Sequence, residues 1–388
     1  MSRVRIRELR LRNFRSFADA RLVLEDVTFL VGRNGAGKST LMDAFAFISE
    51  AVSDSLATAL ERRGNFLGLF PKALRLTSRQ GREGISLAVV FEREGASPIL
   101  YGFRVGTSRG YVVEHEVLRC EGSPSFERDG DVFRCGIASV QPVLDPEALL
   151  LPLIAGAHET WKAIIEAIRL ISVHQLSPLA IRSEPRISTE RRLNRDGQNA
   201  GDVFKNLPVG DRKWVETWLA AVGTGLRKVE ARTVAGRRVL YFDQSGKDGR
   251  WETFEASSMS DGTLRILGTL LALRQSPRPS IVMLDEIEDS LHPFAHGVIL
   301  DAIDDMRGEF PIVVSTHSPE LLNHPTARGE RIRVIQWQGG ESRIFRLSEN
   351  VRANLKPPLT VGQLLRSNAL WTDEEPSTAG SEDDFFQP

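Results

Sequence analysis

The residues with the clearest chemistry lie between Gly32 and Thr40, in the stretch GRNGAGKST. Gly32, then Gly37, Lys38 and Ser39 satisfy the GxxxxGK[ST] spacing. Glycines at such positions let backbone N–H groups, here those around Asn34, Gly35 and Gly37, converge on phosphate oxygens. A helix that begins near Lys38 adds its positive end. The Lys38 ammonium reaches terminal phosphates, and Ser39, followed by Thr40, offers a hydroxyl to Mg²⁺. Nucleotide binding is the expectation.

A second group follows far along the chain. The apolar run Ile281 to Leu284 ends in Asp285 and Glu286, which places two carboxylates where open α/β sheets bind their ligands. Asp285 is placed to hold Mg²⁺, and Glu286 to accept a proton from an attacking water. Taken alone, the pair reads equally well as a cap on the next helix; a phosphate loop in the same chain favours the metal-and-base reading. His317 ends the next apolar run, VVSTHSP. By itself it reads as a loop histidine, and its spacing from the acids argues for a role at the same site.

These groups need elements to hold them. LVLEDVTFLVG reads as a strand running into the glycine loop, and STLMDAFAFISEAV has helical spacing. SIVMLDE and FPIVVSTHS are continuous apolar runs, typical of buried parallel strands, and the helix between them opens on Pro293. That makes a βαβ crossover. The period-2 opening from Arg3 to Arg12, and ISLAVVFER, PILYGFRV and YVVEHEVL, predict half-exposed strands, the last three an antiparallel meander. SDGTLRILGTLLALRQ predicts an amphipathic helix capped by Ser258 or Ser260, WVETWLAAV another helix, and VLYFDQ and WETFEA two strands around a GKDG turn.

Bulk composition excludes several classes. With 50 Lys and Arg against 51 Asp and Glu the net charge is −1, so any nucleic-acid or membrane affinity must be local. Two cysteines, Cys120 and Cys135, are too few for a disulfide framework and suit a reducing cytosol. The start lacks the apolar core of a signal peptide, and the longest apolar stretch, around residues 148 to 157, is shorter than the roughly 20 residues a membrane helix needs. A cytoplasmic protein without a membrane span is expected. The end, DEEPSTAGSEDDFFQP, reads as a disordered acidic tail, with docking through Phe385 and Phe386 as the alternative.

The order of these parts resembles the ABC-type ATPases of the RecF, SMC and OLD group, including the prokaryotic "AAA family" ATPases related to them. LRLRNFRSFADARLVLEDVTFLVGRNGAGKSTLMDAFAFI is similar to that group's N-terminal half-site. SSMSDGTLRILGTLLAL is similar to its signature, with Ser-Asp-Gly where transporters usually carry Ser-Gly-Gly. IVMLDEIEDSLHP and VVSTHSPELL resemble the Walker B, D-loop and H-loop segments, and NRDGQNAGDVFKNL a stretch of the inserted lobe. Matching segments run from about residue 5 to about 325. The resemblance implies an α/β ABC-type head with a mixed sheet, an antiparallel β subdomain and an inserted helical lobe. Residues 1–175 and 255–350 would form the split core, 176–254 the inserted lobe and 351–388 an extension with the tail. ATP with Mg²⁺ would be bound by one protomer while Ser260 and Gly262 of a second copy reach its γ-phosphate. Glu286 and His317 would be catalytic. Gln175 would serve as the Q-loop residue near Mg²⁺, and Arg15 and Ser16 would border the nucleotide. Gln175 reads equally as a polar strand end, and Ile287 stands where the group most often has proline.

Two functional readings stay open. One is the ATPase half of a two-component, anti-phage-defence-like system: a homodimer or higher homo-oligomer that closes on ATP and controls a separate effector. The roughly seventy residues after His317 are few for a TOPRIM nuclease in addition to the strands that close the ATPase. The other is a RecF- or SMC-like DNA-maintenance ATPase that binds nucleic acid directly. Its phosphate contacts would come from Arg3, Arg5, Arg7, Arg10 and Arg12, and from Arg182, Arg186, Arg191, Arg192 and Arg195, although such runs are more often solvated faces. A transporter subunit fits least, because the signature and the Ser290–Pro293 segment depart from transporter patterns.

Overall fold

The computed structural model describes residues 4–70, 84–107, 110–223, 225–246, 248–355, 359–367, 370, 372–373 and 375–388. Arg3 of the arginine run, Lys247 of the GKDG turn and Glu374 of the tail lie outside them.

The chemistry-bearing sheet has six strands in the order β16-β15-β3-β14-β13-β9. These are β3 (Val27–Val31), β9 (Ile171–His174), β13 (Ile281–Leu284), β14 (Ile312–Thr316), β15 (Ile332–Gln338) and β16 (Glu341–Arg346). The pairings of β9, β13, β14, β3 and β15 are parallel, and β16 returns antiparallel. Every residue of β3, β13 and β14 is buried, which explains why these strands read as unbroken apolar runs. Their alternation sorts side chains between two cores. Leu30, Ile281, Met283 and Val313 face one; Phe29, Val31, Val282, Leu284, Ile312 and Val314 face the other.

The first core is shared with the helix Lys38–Ser53, the helix Glu159–Arg169 and a seven-stranded antiparallel sheet. That sheet has the order β2-β1-β4-β5-β6-β7-β8, with β1 (Arg5–Phe14), β2 (Phe17–Val23), β4 (Ile85–Glu92), β5 (Ile99–Gly106), β6 (Val112–Cys120), β7 (Phe126–Asp129) and β8 (Val132–Cys135). The second core is shared with the helices Asp261–Arg274 and Pro293–Asp305 and with the segment between β9 and the first of them. This segment holds the helices Pro178–Arg182, Ala200–Asn206 and Val209–Ala221 and a three-stranded sheet of β10 (Leu226–Val234), β11 (Arg237–Ser245) and β12 (Trp251–Glu255). The mixed α/β architecture agrees with the sequence-based expectation.

The tail departs from it. Phe385 is fully buried and Phe386 nearly so, packed with Ala88, Val90, Leu100 and Val117 on the outer face of the antiparallel sheet. The buried Arg10 donates to the carbonyls of Asp384 (2.8 Å), Phe385 (3.0 Å) and Gln387 (2.5 Å), and Asp19 accepts from the Ala379 N–H. A polar, acidic composition argues for disorder only when no partner surface exists. Here β1, β4, β5 and β6 supply an apolar patch with a buried cation beside it.

Candidate nucleotide-binding site

β3 ends at Val31, and residues 32–37 curl back to start the helix at Lys38. Gly35 and Gly37 have φ of +78° and +117°, a region that side-chain-bearing residues avoid. At Gly32 the reason is space: a Cβ there would lie 2.4 Å from the carbonyl oxygen of Ile335. Lys38 is 5% exposed, and its Nζ donates to the carbonyls of Gly32 (2.8 Å) and Arg33 (3.3 Å). Burial lowers its pKa, opposed by the charges of Glu286, Asp285 and Glu288. A buried ammonium held by two neutral carbonyls, under a helix N-terminus, is built for an anion.

The acids arrive from the neighbouring strands. Ser39 Oγ donates to Asp285 Oδ2 at 3.1 Å. Ser315, inside β14, donates its hydroxyl to Asp285 Oδ1 and accepts from the Glu286 N–H at 3.1 Å. Glu286 adopts φ of +47°, a strained backbone worth about 1–3 kcal/mol, and the buried Arg265 donates to its carbonyl at 3.3 Å. Its carboxyl pKa is raised, by burial first and then by Asp285 and Asp289, while His317 and Lys38 oppose the shift. The strained turn thus carries a half-buried carboxylate, more basic than usual, within the charge fields of Asp285, His317 and Lys38.

His317 leaves β14 beside these groups, with Nδ1 3.9 Å from Glu286 Oε1 and 3.4 Å from Glu288 Oε1. Glu288, Ser315 and Arg265 were not singled out from the sequence. Signals existed: Ser315 is a polar residue within an apolar strand, and Glu288 is a third acid just after the pair.

The remaining candidates fall into three places. Gln175 follows β9 immediately, and the His174 carbonyl beside it accepts from the Asp285 N–H at 2.9 Å, so Gln175 lies level with the acids; its side chain is exposed. Arg15 and Ser16 flank the start of the helix after the loop. Arg15 pairs with Asp43 at 3.0 Å, and Ser16 Oγ accepts from Ser342 Oγ at 2.8 Å, where Ser342 would meet any Cβ added at Gly37. Ser260, not Ser258, caps the signature helix, accepting from the Thr263 N–H at 3.1 Å. It is exposed, its side chain bonds only within its own helix start among the described residues, and Gly262 packs near Ser290. The structure brings the loop, Asp285, Glu286, His317 and Gln175 together and leaves Ser260 and Gly262 outside that cluster.

The arginines offered for nucleic acid are mostly engaged. Arg5 faces Asp26, Arg7 faces Glu25 and Glu92, Arg10 holds Glu8 and the tail, and Arg12 holds Asp19 and Gly380. Arg182 binds Asp261 and the Met259 carbonyl, and Arg192 caps carbonyls at Arg169 and Ile171. The N-terminal run is therefore not a free cationic stripe. Pairing with acids and carbonyls across the sheet consumes it.

Mg²⁺ with a nucleoside triphosphate fits these residues. Ser39 Oγ and Asp285 Oδ2 are hard oxygen ligands 3.1 Å apart, and Mg²⁺ commonly takes one or two carboxylates together with substrate phosphates. Among the described residues no group of three or more His, Cys, Asp or Glu side chains is placed to hold a metal without such phosphates.

Comparison with known proteins agrees with this geometry. A family model described as "AAA ATPase domain" matches residues 5–86, and one described as "AAA domain, putative AbiEii toxin, Type IV TA system" matches residues 221–323. No curated protein matches. Among solved structures, an Smc head bound to the C-winged helix domain of ScpA superposes with a TM-score of 0.57 at 14% identity, covering 89% of this chain and 98% of that one. The Smc head domain with an extended coiled coil from Pyrococcus furiosus, bound to the C-terminal domain of ScpA, gives 0.56 at 13%, covering 91% and 98%. The SMC head domain from Thermotoga maritima gives 0.50 at 14%, covering 89% and 99%. The chain thus carries two segments similar to AAA families, one holding the phosphate loop and the other the acidic strand, on a fold like that of SMC head domains.

Proposed function

We propose that the chain is an ATP-hydrolysing switch that dimerises around Mg-ATP and, as the ATPase component of a two-component prokaryotic system of the anti-phage-defence kind, controls a separate effector protein. One observation carries the switch: Lys38, Ser39, Asp285 and Glu286 converge, while the exposed N-terminus of the signature helix at Ser260 serves no group of that cluster. A second copy supplies the missing donors.

In this reading Lys38 and the loop amides bind the triphosphate, and Ser39 and Asp285 hold the ion, which shields phosphate charge when bound. Glu286 takes the proton of the attacking water, and its raised pKa suits that role. His317 stands beside Glu286 at the end of β14, and Gln175 follows β9 on the neighbouring strand, in reach of a bound ion.

A separate effector is supported by the neighbours of the same fold. Smc heads of the same fold have been solved bound to a domain of another protein, ScpA. The test is Glu286→Gln, which keeps the shape and cannot take the proton. With ATP it is expected to accumulate dimers by light scattering and to hydrolyse at least about 100-fold more slowly than wild type. A protein that stays monomeric with ATP and a slowly hydrolysed analogue refutes the shared site. Native mass analysis of the co-purified complex, with and without ATP, tests the effector.

A further inference from the structure

The segment between β9 and the signature helix carries a groove of about 830 Å³ between the helices Ala200–Asn206 and Val209–Ala221 and the outer edge of β10. Six cationic side chains line it, Lys205, Arg212, Lys213, Lys228, Arg232 and Arg238, against two acids, Glu216 and Glu230. Both acids are already used. Glu216 accepts from the Val229 N–H at 3.1 Å on the unpaired edge of β10, and Glu230 takes Lys228 and Arg232. Arg238 is spent on the fully buried Asp202 at 2.8 Å and on Thr233.

Lys205, Arg212 and Lys213 are left over. Among the described residues no acid or carbonyl pairs with their side chains, and Arg212 Nε is shut off from solvent without an acceptor. The helix Val209–Ala221 adds a second source of positive potential. Its N-cap is Pro208, which offers no side-chain acceptor, so the first-turn amides keep their donors where Val209, Arg212 and Lys213 line the groove. Convergent cations, an uncapped helix start and a cavity within the usual range of ligand pockets together select a multiply charged oxyanion.

We propose that this groove binds phosphoryl anions, carried either by a nucleic-acid backbone or by a free oligophosphate. The groove is separate from the phosphate loop and does not depend on the arginine run of β1. It is tied to the signature helix: Asp211 pairs with Arg278 at 2.7 Å, and the Arg274 guanidinium stacks over Trp214 at 4.3 Å. The groove's helix Val209–Ala221 thus packs against the C-terminal end of the helix that Ser260 begins.

The test uses the full chain with its phosphate loop saturated by Mg-ADP. Binding is measured for a labelled single-stranded oligodeoxynucleotide of about 20 residues by anisotropy, with salt dependence near −2 on a log–log plot for about three neutralised phosphates. Inorganic tripolyphosphate is measured by calorimetry. At least one probe is expected to bind, and Arg212→Glu/Lys213→Glu is expected to weaken it at least about tenfold with ADP affinity unchanged. Lys205→Glu/Lys213→Glu, altering only exposed side chains, is expected to do the same and guards against a folding defect. Binding of the oligonucleotide alone assigns the backbone source, and binding of tripolyphosphate alone assigns the free one. Failure of both probes, or wild-type affinity in both folded variants, overturns the proposal.

Discussion

Glu288 meets His317 and its strand through one oxygen: Oε1 accepts from Thr316 Oγ1 at 2.7 Å and from the His317 N–H at 2.9 Å, and lies 3.4 Å from His317 Nδ1. A buried carboxylate so placed fixes the strand end that carries His317 and lies beside the Nδ1 edge of its imidazole. If His317 acts at the proposed site, Glu288 is a positioning residue acting through it. Glu288→Ala is expected to lower kcat about tenfold while leaving ATP affinity within about twofold, and Glu288→Ala in a His317→Ala background is expected to change kcat no further. Additive losses in that double-mutant cycle would assign Glu288 a structural task instead. At this scale the sequence was most legible where chemistry is local. The Gly32–Thr40 loop is read from nine consecutive residues, whereas Glu288 and Ser315 gain their meaning only when β13 and β14 pair side by side.

Among the elements, the buried strands and the helices between them were legible because each carries its own period. What pairs with what was not. β1 lies between β2 and β4, and the sequence carries no local mark of that order. Least legible was the tail, whose partners lie far away in the chain, Arg10 being 374 positions from Asp384. The acid-rich segment stays in place because Phe385 is buried and Arg10 chelates the carbonyls that end the turn Glu382–Phe385. Phe385→Ala removes the apolar half of that anchor, a change that costs about 3–5 kcal/mol in a full core and less at an edge. It is expected to raise amide hydrogen exchange at Ala379 and Phe385 by at least about tenfold, equivalent to ~1.4 kcal/mol, with the nucleotide site unaffected. Unchanged exchange at both amides would mean that the aromatic contact does not hold the tail.

For the molecule as a whole, the separation of two surfaces on one chain is the central feature. The loop end of the six-stranded sheet gathers Lys38, Ser39, Asp285 and Glu286, and the helix Asp261–Arg274 has an exposed start capped by Ser260 away from them. If each site takes its loop from one copy and its signature from another, defects in the two surfaces must complement in trans. Lys38→Ala removes the buried ammonium, and Ser260→Ala removes the signature hydroxyl. Each protein alone is expected to lose at least about 100-fold in turnover, the scale of deleting one preorganised donor at a reacting centre. Mixed in equal amounts, half of the randomly formed dimers pair one variant with the other, and one of the two sites in each such dimer has an intact loop facing an intact signature. Activity is then expected to rise to about a quarter of wild type, and to vanish again on dilution below the dimerisation range. A mixture no more active than its components, with both variants folded and mixed dimers cross-linked in ATP, would place the signature in the same chain's site and end the shared-site mechanism.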